Sequence, residues 1–217
     1  MDWTGLKEIS TLFERIIQRL PVTLEILALS AVCSLLLGIL IAIVRIRKKP
    51  VSYAIATFYI SFMRCTPTLV QLFLIFYGLP QLLLLMGIDV NGWSNVVFAI
   101  ITLSLHNAAF FSETIRSAYL AVGEGQKEAA YSVGMNYFQT LRRIILPQAF
   151  GIALPVLGNN LVTLLKETSL AFSIGVTDMM GQVTIIVYNN YGASLMTVYM
   201  IIALIYWCLS ILIGRMT

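Results

Sequence analysis

Charge is scarce in this chain. Asp, Glu, Lys and Arg together make up 11% of its 217 residues, where a soluble domain carries about a quarter. That leaves too little polar surface for a water-soluble globule. Histidine occurs once, and cysteine three times, at Cys33, Cys65 and Cys208. One histidine with no nearby cysteine or aspartate builds neither a metal site nor a nucleophile–base pair, so no catalytic and no metal-ligating residue is expected. The cysteines are scattered through apolar contexts and read as small core residues. No Gly-rich, phosphate-cradling loop is present, so the chain is not expected to bind ATP and Mg itself, or any other cofactor. No internal repeat is visible. No signal peptide is expected, because Asp2 spoils a basic n-region and no short apolar core precedes a cleavage site. The net charge of +4 comes without a basic patch interleaved with aromatics, so nucleic acid is not an expected partner.

Apolar residues fill the space that charge leaves: 59% of the chain, with a mean hydropathy of +0.89. A hydrocarbon core about 30 Å thick needs roughly 20 apolar residues per helix, and five segments qualify. They are Pro21 to Val44, Pro67 to Met86, Val96 to Tyr119, Gly151 to Leu165 with a continuation past Lys166 left open, and Leu195 to Gly214. Thr66 reads as the N-cap of the second, with Pro67 at its first helical position. The fold class expected is all-α and polytopic, a multi-pass membrane protein embedded in lipid. Lys and Arg set the orientation. Arg45, Arg47, Lys48 and Lys49 follow span one; Lys127, Arg142 and Arg143 lie between spans three and four; Arg215 follows span five. The opposite loops, 87–95 and 175–194, hold no Lys or Arg. The N-terminus is therefore expected outside and the C-terminus in the cytoplasm.

Residues 1–20 form a separate expected unit, with 21–217 as the transmembrane domain. Leu6, Ile9, Phe13, Ile16, Ile17 and Leu20 recur at helical spacing, and Lys7, Glu8, Glu14, Arg15 and Arg19 fill the other face. Such a helix lies in the membrane interface; the alternative is a contact with an external binding protein. Val51 to Met63 reads as a second interfacial helix on the inner side.

Polar groups at membrane depth need partners. Glu25 sits near the outer start of span one, where the helix dipole favours it. Arg64 reads as a snorkelling arginine. His106, beside Asn107, falls in the middle of span three and admits three readings: a hydrogen-bonded structural group, a member of a substrate pathway, or a group for proton coupling. Glu113 and Arg116 are three apart on one helix face and read as a structural ion pair. Asn159, Asn160, Lys166, Glu167, Thr168 and Ser169 form the densest polar cluster near an apolar span. Lys166 and the hydroxyls suit an amino acid's carboxylate; Glu167 and the amide oxygens suit its ammonium. This cluster either lines a pathway or marks a helix end at the outer interface.

A polar island interrupts the apolar pattern at about residues 120–148. Gly125-Gln126 opens a short helix, and Gly134 is a natural stop in the left-handed region. Asn136 and Gln139 then form a capping-box pattern for a second helix running to Leu146. Glu128-Ala129-Ala130, three residues, Gly134, nine residues, then Ile144-x-Leu146-Pro147 resembles the EAA-type coupling-loop signature of ABC-importer permease subunits. Arg64-Cys-Thr-Pro67-Thr-Leu-Val-Gln71, Gly125-Gln126, Leu146-Pro147-Gln148-Ala149, Leu154-Pro155 with Gly158-Asn159, and Lys166-Glu167-Thr168-Ser169-Leu170 are similar to the polar amino acid uptake branch of that family. The likeness runs from about Thr23 to Asp178. Cys65 departs from it, since glycine is usual there, and so does the His106-Asn107 pair.

The resemblance implies a permease of the bacterial inner membrane that dimerises with itself or a sister permease. It implies a dimer of ATPase subunits, where ATP and Mg act, and an extracytoplasmic solute-binding protein or domain. The expected ATPase-coupling residues are Gly125, Gln126, Glu128, Ala129, Ala130, Gly134, Leu146 and Pro147, and the chain itself is expected not to be an enzyme. A polar amino acid is the implied substrate; neutral Asn159 and Asn160 lean away from arginine or lysine and toward glutamine or cystine. The alternative of a self-contained secondary transporter calls for inverted repeats and paired broken helices, which five spans without a repeat do not supply. A membrane enzyme or assembly factor would want a clustered nucleophile and base.

Overall fold

The computed structural model describes residues 3–189 and 195–216, and all regular structure among them is helical. Helix α1, Trp3–Ile17, leads into α2, Leu20–Arg47. After a tight reversal comes α3, Pro50–Cys65. Helix α4, Thr68–Phe73, passes through a π turn, Leu74–Gly78, into α5, Leu79–Leu85. Helix α6 spans Asn95–Ala121 and α7 spans Glu124–Ser132. Helix α8, Tyr137–Thr140, runs through a second π turn, Leu141–Ile145, into α9, Leu146–Thr168, which tightens into a 3-10 segment, Ser169–Ile174. Helices α10, Met179–Asn189, and α11, Leu195–Met216, follow. Among the described residues, five helical stretches are long and apolar enough to cross a membrane: Ile9–Arg47, Thr68–Leu85, Asn95–Ala121, Tyr137–Ile174 and Leu195–Arg215.

The five expected spans are present, but the fourth is corrected. Instead of a short span from Gly151 to Leu165 preceded by a helix ending at Leu146, one helical run of 38 residues extends from Tyr137 to Ile174. Pro147 does not break it. Proline lacks an N–H, and its ring crowds the carbonyl four residues back. For Pro147 that carbonyl belongs to Arg143, inside the π turn Leu141–Ile145, whose wider winding absorbs the misfit. The same device recurs at Pro80, whose counterpart, Phe76, lies in the π turn Leu74–Gly78. The long run ends at Gly175, in the left-handed region at φ 83°, with Val176 N–H donating to the Ala171 carbonyl at 3.2 Å. A smaller correction concerns Thr66. Pro67 is the N-cap and α4 begins at Thr68, because the Thr66 hydroxyl turns back to the Phe62 carbonyl at 2.8 Å.

Helix α6 is the centre of the bundle. Helix α2 lies along it through a stripe of mostly small residues at three- and four-residue spacing, Thr23, Ile26, Ser30, Ser34, Gly38 and Ala42, all buried. A Cβ on Gly38 would sit 2.9 Å from Phe111 Cβ and 3.3 Å from the Ala108 carbonyl. In lipid no hydrophobic force draws helices together, so such close packing does the work. The Ser34 hydroxyl donates to the Ser104 carbonyl at 3.1 Å. The outer face of α2, with Val32, Leu36 and Leu40, is exposed.

Helix α1 is amphipathic as expected but packs on protein. Leu12 and Ile16 are buried against Met179, Val183, Ile186 and Val198 of α10 and α11, with Ile9 and Ile17 beside them. Phe13, expected on the apolar face, points outward. The side chains of Leu6 and Glu8, and residues 190–194 of the expected outer loop, lie outside the described residues. Cys33, Cys65 and Cys208 are free and exposed, which corrects the expectation of core positions. Glu25 is likewise exposed on α2.

Candidate functional site

Two polar regions stand out, one at mid-bundle and one at the end where α6 gives way to α7. The mid-bundle site forms because α4, α6 and α9 each bring polar groups to one level. Thr68 and Gln71, three residues apart on α4, face His106 of α6. The Gln71 amide nitrogen is spent on the Met63 carbonyl at 3.0 Å, the Thr66 carbonyl at 3.2 Å and the Thr66 hydroxyl at 2.5 Å. Its oxygen therefore accepts from His106 Nδ1 at 2.9 Å, which assigns a proton to Nδ1. The other ring nitrogen, Nε2, lies 3.3 Å from the Thr68 hydroxyl and 3.3 Å from Glu167 Oε1. The Thr68 hydroxyl is also 3.3 Å from Glu167 Oε1, and Asn107 Nδ2 donates to Glu167 Oε2 at 2.8 Å. His106, Asn107 and Gln71 are buried; the Glu167 side chain keeps 16% of its surface open. A partly open carboxylate on α9 thus meets side chains of α4 and α6.

The remaining residues of the 159–169 segment do not join this site. Successive residues on α9 are turned by about 100°, so the segment spreads over several faces. Asn160 donates to the Thr114 hydroxyl at 3.1 Å, nearer the α7 end. Thr168 is fully buried and donates to the Leu165 carbonyl at 2.7 Å. Ser169 donates to the Lys166 carbonyl at 2.6 Å. Asn159, Thr163 and Lys166 form an exposed polar stripe. The sequence reading holds Thr68 and Gln71 only as part of the Arg64–Gln71 motif and not as pathway residues; their three-residue spacing just after Pro67 is the available signal.

Below this level, the expected Glu113–Arg116 pair is present at 2.9 Å and gains a third member. Arg45 of α2 reaches Glu113 Oε1 at 2.6 Å and stacks 5.2 Å from the centre of the Tyr53 ring. One carboxylate therefore ties α2 to α6 where α6 approaches the loop.

The loop has the helix–turn–helix shape expected. Gly123, at φ 79°, lets the chain leave α6, and α7 opens at Glu124, one residue before Gly125. Glu124 accepts from Lys127 at 2.7 Å and holds that ammonium's pKa above its ordinary value. Gly134, at φ 80°, closes α7 with paired bonds: its own N–H to the Tyr131 carbonyl at 3.0 Å and Met135 N–H to the Ala130 carbonyl at 3.1 Å. This is a Schellman motif. The Asn136–Gln139 capping box is complete, at 2.9 and 3.0 Å. Val122, Ile145 and Ala149 pack beneath the loop with Tyr119, Leu141 and Ile144. Ala130 is buried, while Gly125, Gln126, Glu128, Ala129 and Gly134 are exposed, as are Leu146 and Pro147. Val133, Tyr137 and Phe138 are exposed around the reversal, so the loop presents an apolar rim beside Glu128. Gln148 donates to Gln126 at 3.4 Å, linking α7 to α9.

A third buried group lies at the start of α10. Asp178 Oδ1 accepts from Gly181 N–H at 2.8 Å, while Oδ2 is buried without a partner. Burial pushes this carboxyl up to about 6. Among the described residues no three His, Cys, Asp or Glu side chains converge on a metal position.

Residues 34–217 match the family described as binding-protein-dependent transport system inner membrane component. The probable amino-acid permease protein YxeN of Bacillus subtilis (strain 168) is 42% identical over 212 residues, covering 98% of this chain and 91% of that protein. The L-cystine transport system permease protein TcyL of the same organism is 45% identical over 194 residues, covering 89% of this chain and 80% of that protein. Among solved structures, an amino acid ABC transporter with histidines superposes with a TM-score of 0.83 at 31% identity, over 100% of this chain and 95% of that one.

Proposed function

The chain belongs to the family of binding-protein-dependent transport system inner membrane components, and from that premise we propose how it works. It is a permease subunit of an amino acid ABC importer. Its exposed loop docks on a separate ATPase dimer in the cytoplasm, and a second permease completes the pathway. An extracytoplasmic binding protein delivers the substrate at the opposite face, the side on which the N-terminus lies.

The observation that carries this reading is the continuity of the run from Tyr137 to Ile174. One end abuts the Gly134 reversal; near the other end, Glu167 holds Asn107 and contacts Thr68 and His106. At 1.5 Å per residue, Glu167 lies about 45 Å along this run from Tyr137. Closure of two ATPases would draw two loops together and shift this run against α6, moving Glu167 relative to α4 and α6. Glu128 and Ala129 offer a charge and a close-approach surface to the ATPase groove.

The substrate is a polar amino acid with a neutral side chain, cystine being the first to test given the similarity to TcyL. Glu167 already accepts from Asn107 and Thr68, and Asn159 and Asn160 are neutral, so the 159–169 segment offers no free carboxylate to a cationic side chain. Lys166, Asn159 and Thr163 line the pathway from the exposed face of α9. Reconstitution with the ATPase and binding protein, followed by a screen of amino acids for stimulated ATP hydrolysis, tests this. Stimulation by cystine or glutamine is expected; stimulation by arginine or lysine alone would overturn the substrate reading.

A further inference from the structure

The corner between α2 and α3 carries positive charge that no acidic side chain in an ion pair among the described residues compensates. No Asp or Glu occurs between Glu25 and Asp89, yet Arg45, Arg47, Lys48, Lys49 and Arg64 do. Arg45 is occupied by Glu113. Arg47, Lys48 and Lys49 are exposed, and none of the ion pairs among the described residues includes them. Lys48 is the one non-glycine residue among those described with a positive φ, 52°. That left-handed residue makes the reversal tight and sets the three cations at the foot of α3.

Helix α3 then presents a matching apolar stripe. Val51, Ile55, Phe58 and Phe62 recur at four- and three-residue spacing; Val51, Ile55 and Phe58 are 73%, 65% and 74% exposed. The opposite face is committed, with Ala56 and Ile60 buried and the Tyr59 hydroxyl donating to the Leu105 carbonyl in α6 at 2.5 Å. From Val51 to Phe62 the stripe runs roughly 16 Å, comparable to an extended acyl chain, and it starts where the cations end.

We propose that this corner is a binding site for one anionic phospholipid. The phosphate is held by Arg47, Lys48 and Lys49, and an acyl chain lies along Val51, Ile55, Phe58 and Phe62. Clustered Lys and Arg beside a spanning helix attract anionic headgroups, and the stripe supplies the apolar half of the same ligand. The corresponding stretch of a second copy would bring no acid to meet the cations.

The test uses the complete importer, purified with its ATPase and binding protein from membranes containing phosphatidylglycerol and phosphatidylcholine. Native mass spectrometry reads which lipid stays bound. Wild type is expected to retain phosphatidylglycerol. Combined Arg47→Gln, Lys48→Gln and Lys49→Gln is expected to lose it while still assembling, and Lys48→Arg with Lys49→Arg is expected to keep it. A photoreactive residue at Phe58 is expected to label lipid. Equal retention by the triple variant, equal retention of phosphatidylcholine, or crosslinking from Phe58 to a second permease chain would each overturn the proposal.

Discussion

Asn107, in the middle of α6, donates a 2.8 Å hydrogen bond to Glu167, near the end of α9. This bond joins the helix at the centre of the bundle to the long helix that begins at the loop. A hydrogen bond to a charged group contributes about 1.5–3 kcal/mol. Asn107→Ala should therefore lower the unfolding temperature of the detergent-purified subunit and raise substrate-independent ATP hydrolysis in the reconstituted importer. An unchanged melt together with unchanged basal hydrolysis would show that the bond holds nothing in place.

The contact between α2 and α6 at Gly38 leaves no room for a side chain. Any Cβ there meets Phe111 Cβ at 2.9 Å and the Ser112 nitrogen at 3.2 Å. Overpacking of this kind costs about 1–3 kcal/mol. Gly38→Leu should melt earlier than wild type, whereas Gly214→Leu, where a Cβ meets nothing within 4 Å, should not. Thermal unfolding followed by circular dichroism compares the two.

Asp178 gives the subunit a pH-dependent stability. Its carboxyl titrates near 6 in the fold, against an ordinary value of 3.8, because burial disfavours the charged form. Between those values the folded chain binds more protons than the unfolded one, so stability falls as pH rises through this window. The loss is at most about 3 kcal/mol, and it persists above the folded value. Asp178→Asn keeps an acceptor for Gly181 and carries no charge. Its melting temperature should match wild type near pH 4 and exceed it above pH 6; parallel pH profiles for the two proteins would contradict this.

Much of this molecule was legible in its sequence, and the failures have physical causes. Long apolar runs must be helices in lipid, since no other single segment satisfies its own backbone there, so the five spans were readable. Gly134 and the Asn136–Gln139 box were readable because cap chemistry is local. Pro147 misled because a π turn can absorb a proline, and nothing in Leu141–Ile145 announces one. The polar run from Asn159 to Ser169 read as one cluster because it is contiguous in sequence, whereas a helix distributes contiguous residues around its axis. Thr68, Gln71 and Arg45 meet His106 and Glu113 only through tertiary packing, across 38, 35 and 68 positions, beyond the reach of local pattern. The outward cysteines follow from the solvent: exposed positions on a lipid-facing helix are apolar, so an apolar neighbourhood does not signal a core.

The central claim is that an exposed loop, not a nucleotide site in this chain, drives the pathway. Glu128→Arg reverses the charge on that loop, and Gly134→Pro forbids its φ of 80°. Each variant should insert into the membrane normally. Reconstituted with the ATPase and binding protein, each should lose substrate-stimulated ATP hydrolysis and amino acid uptake together. Normal insertion with wild-type coupled uptake in both variants would contradict the account.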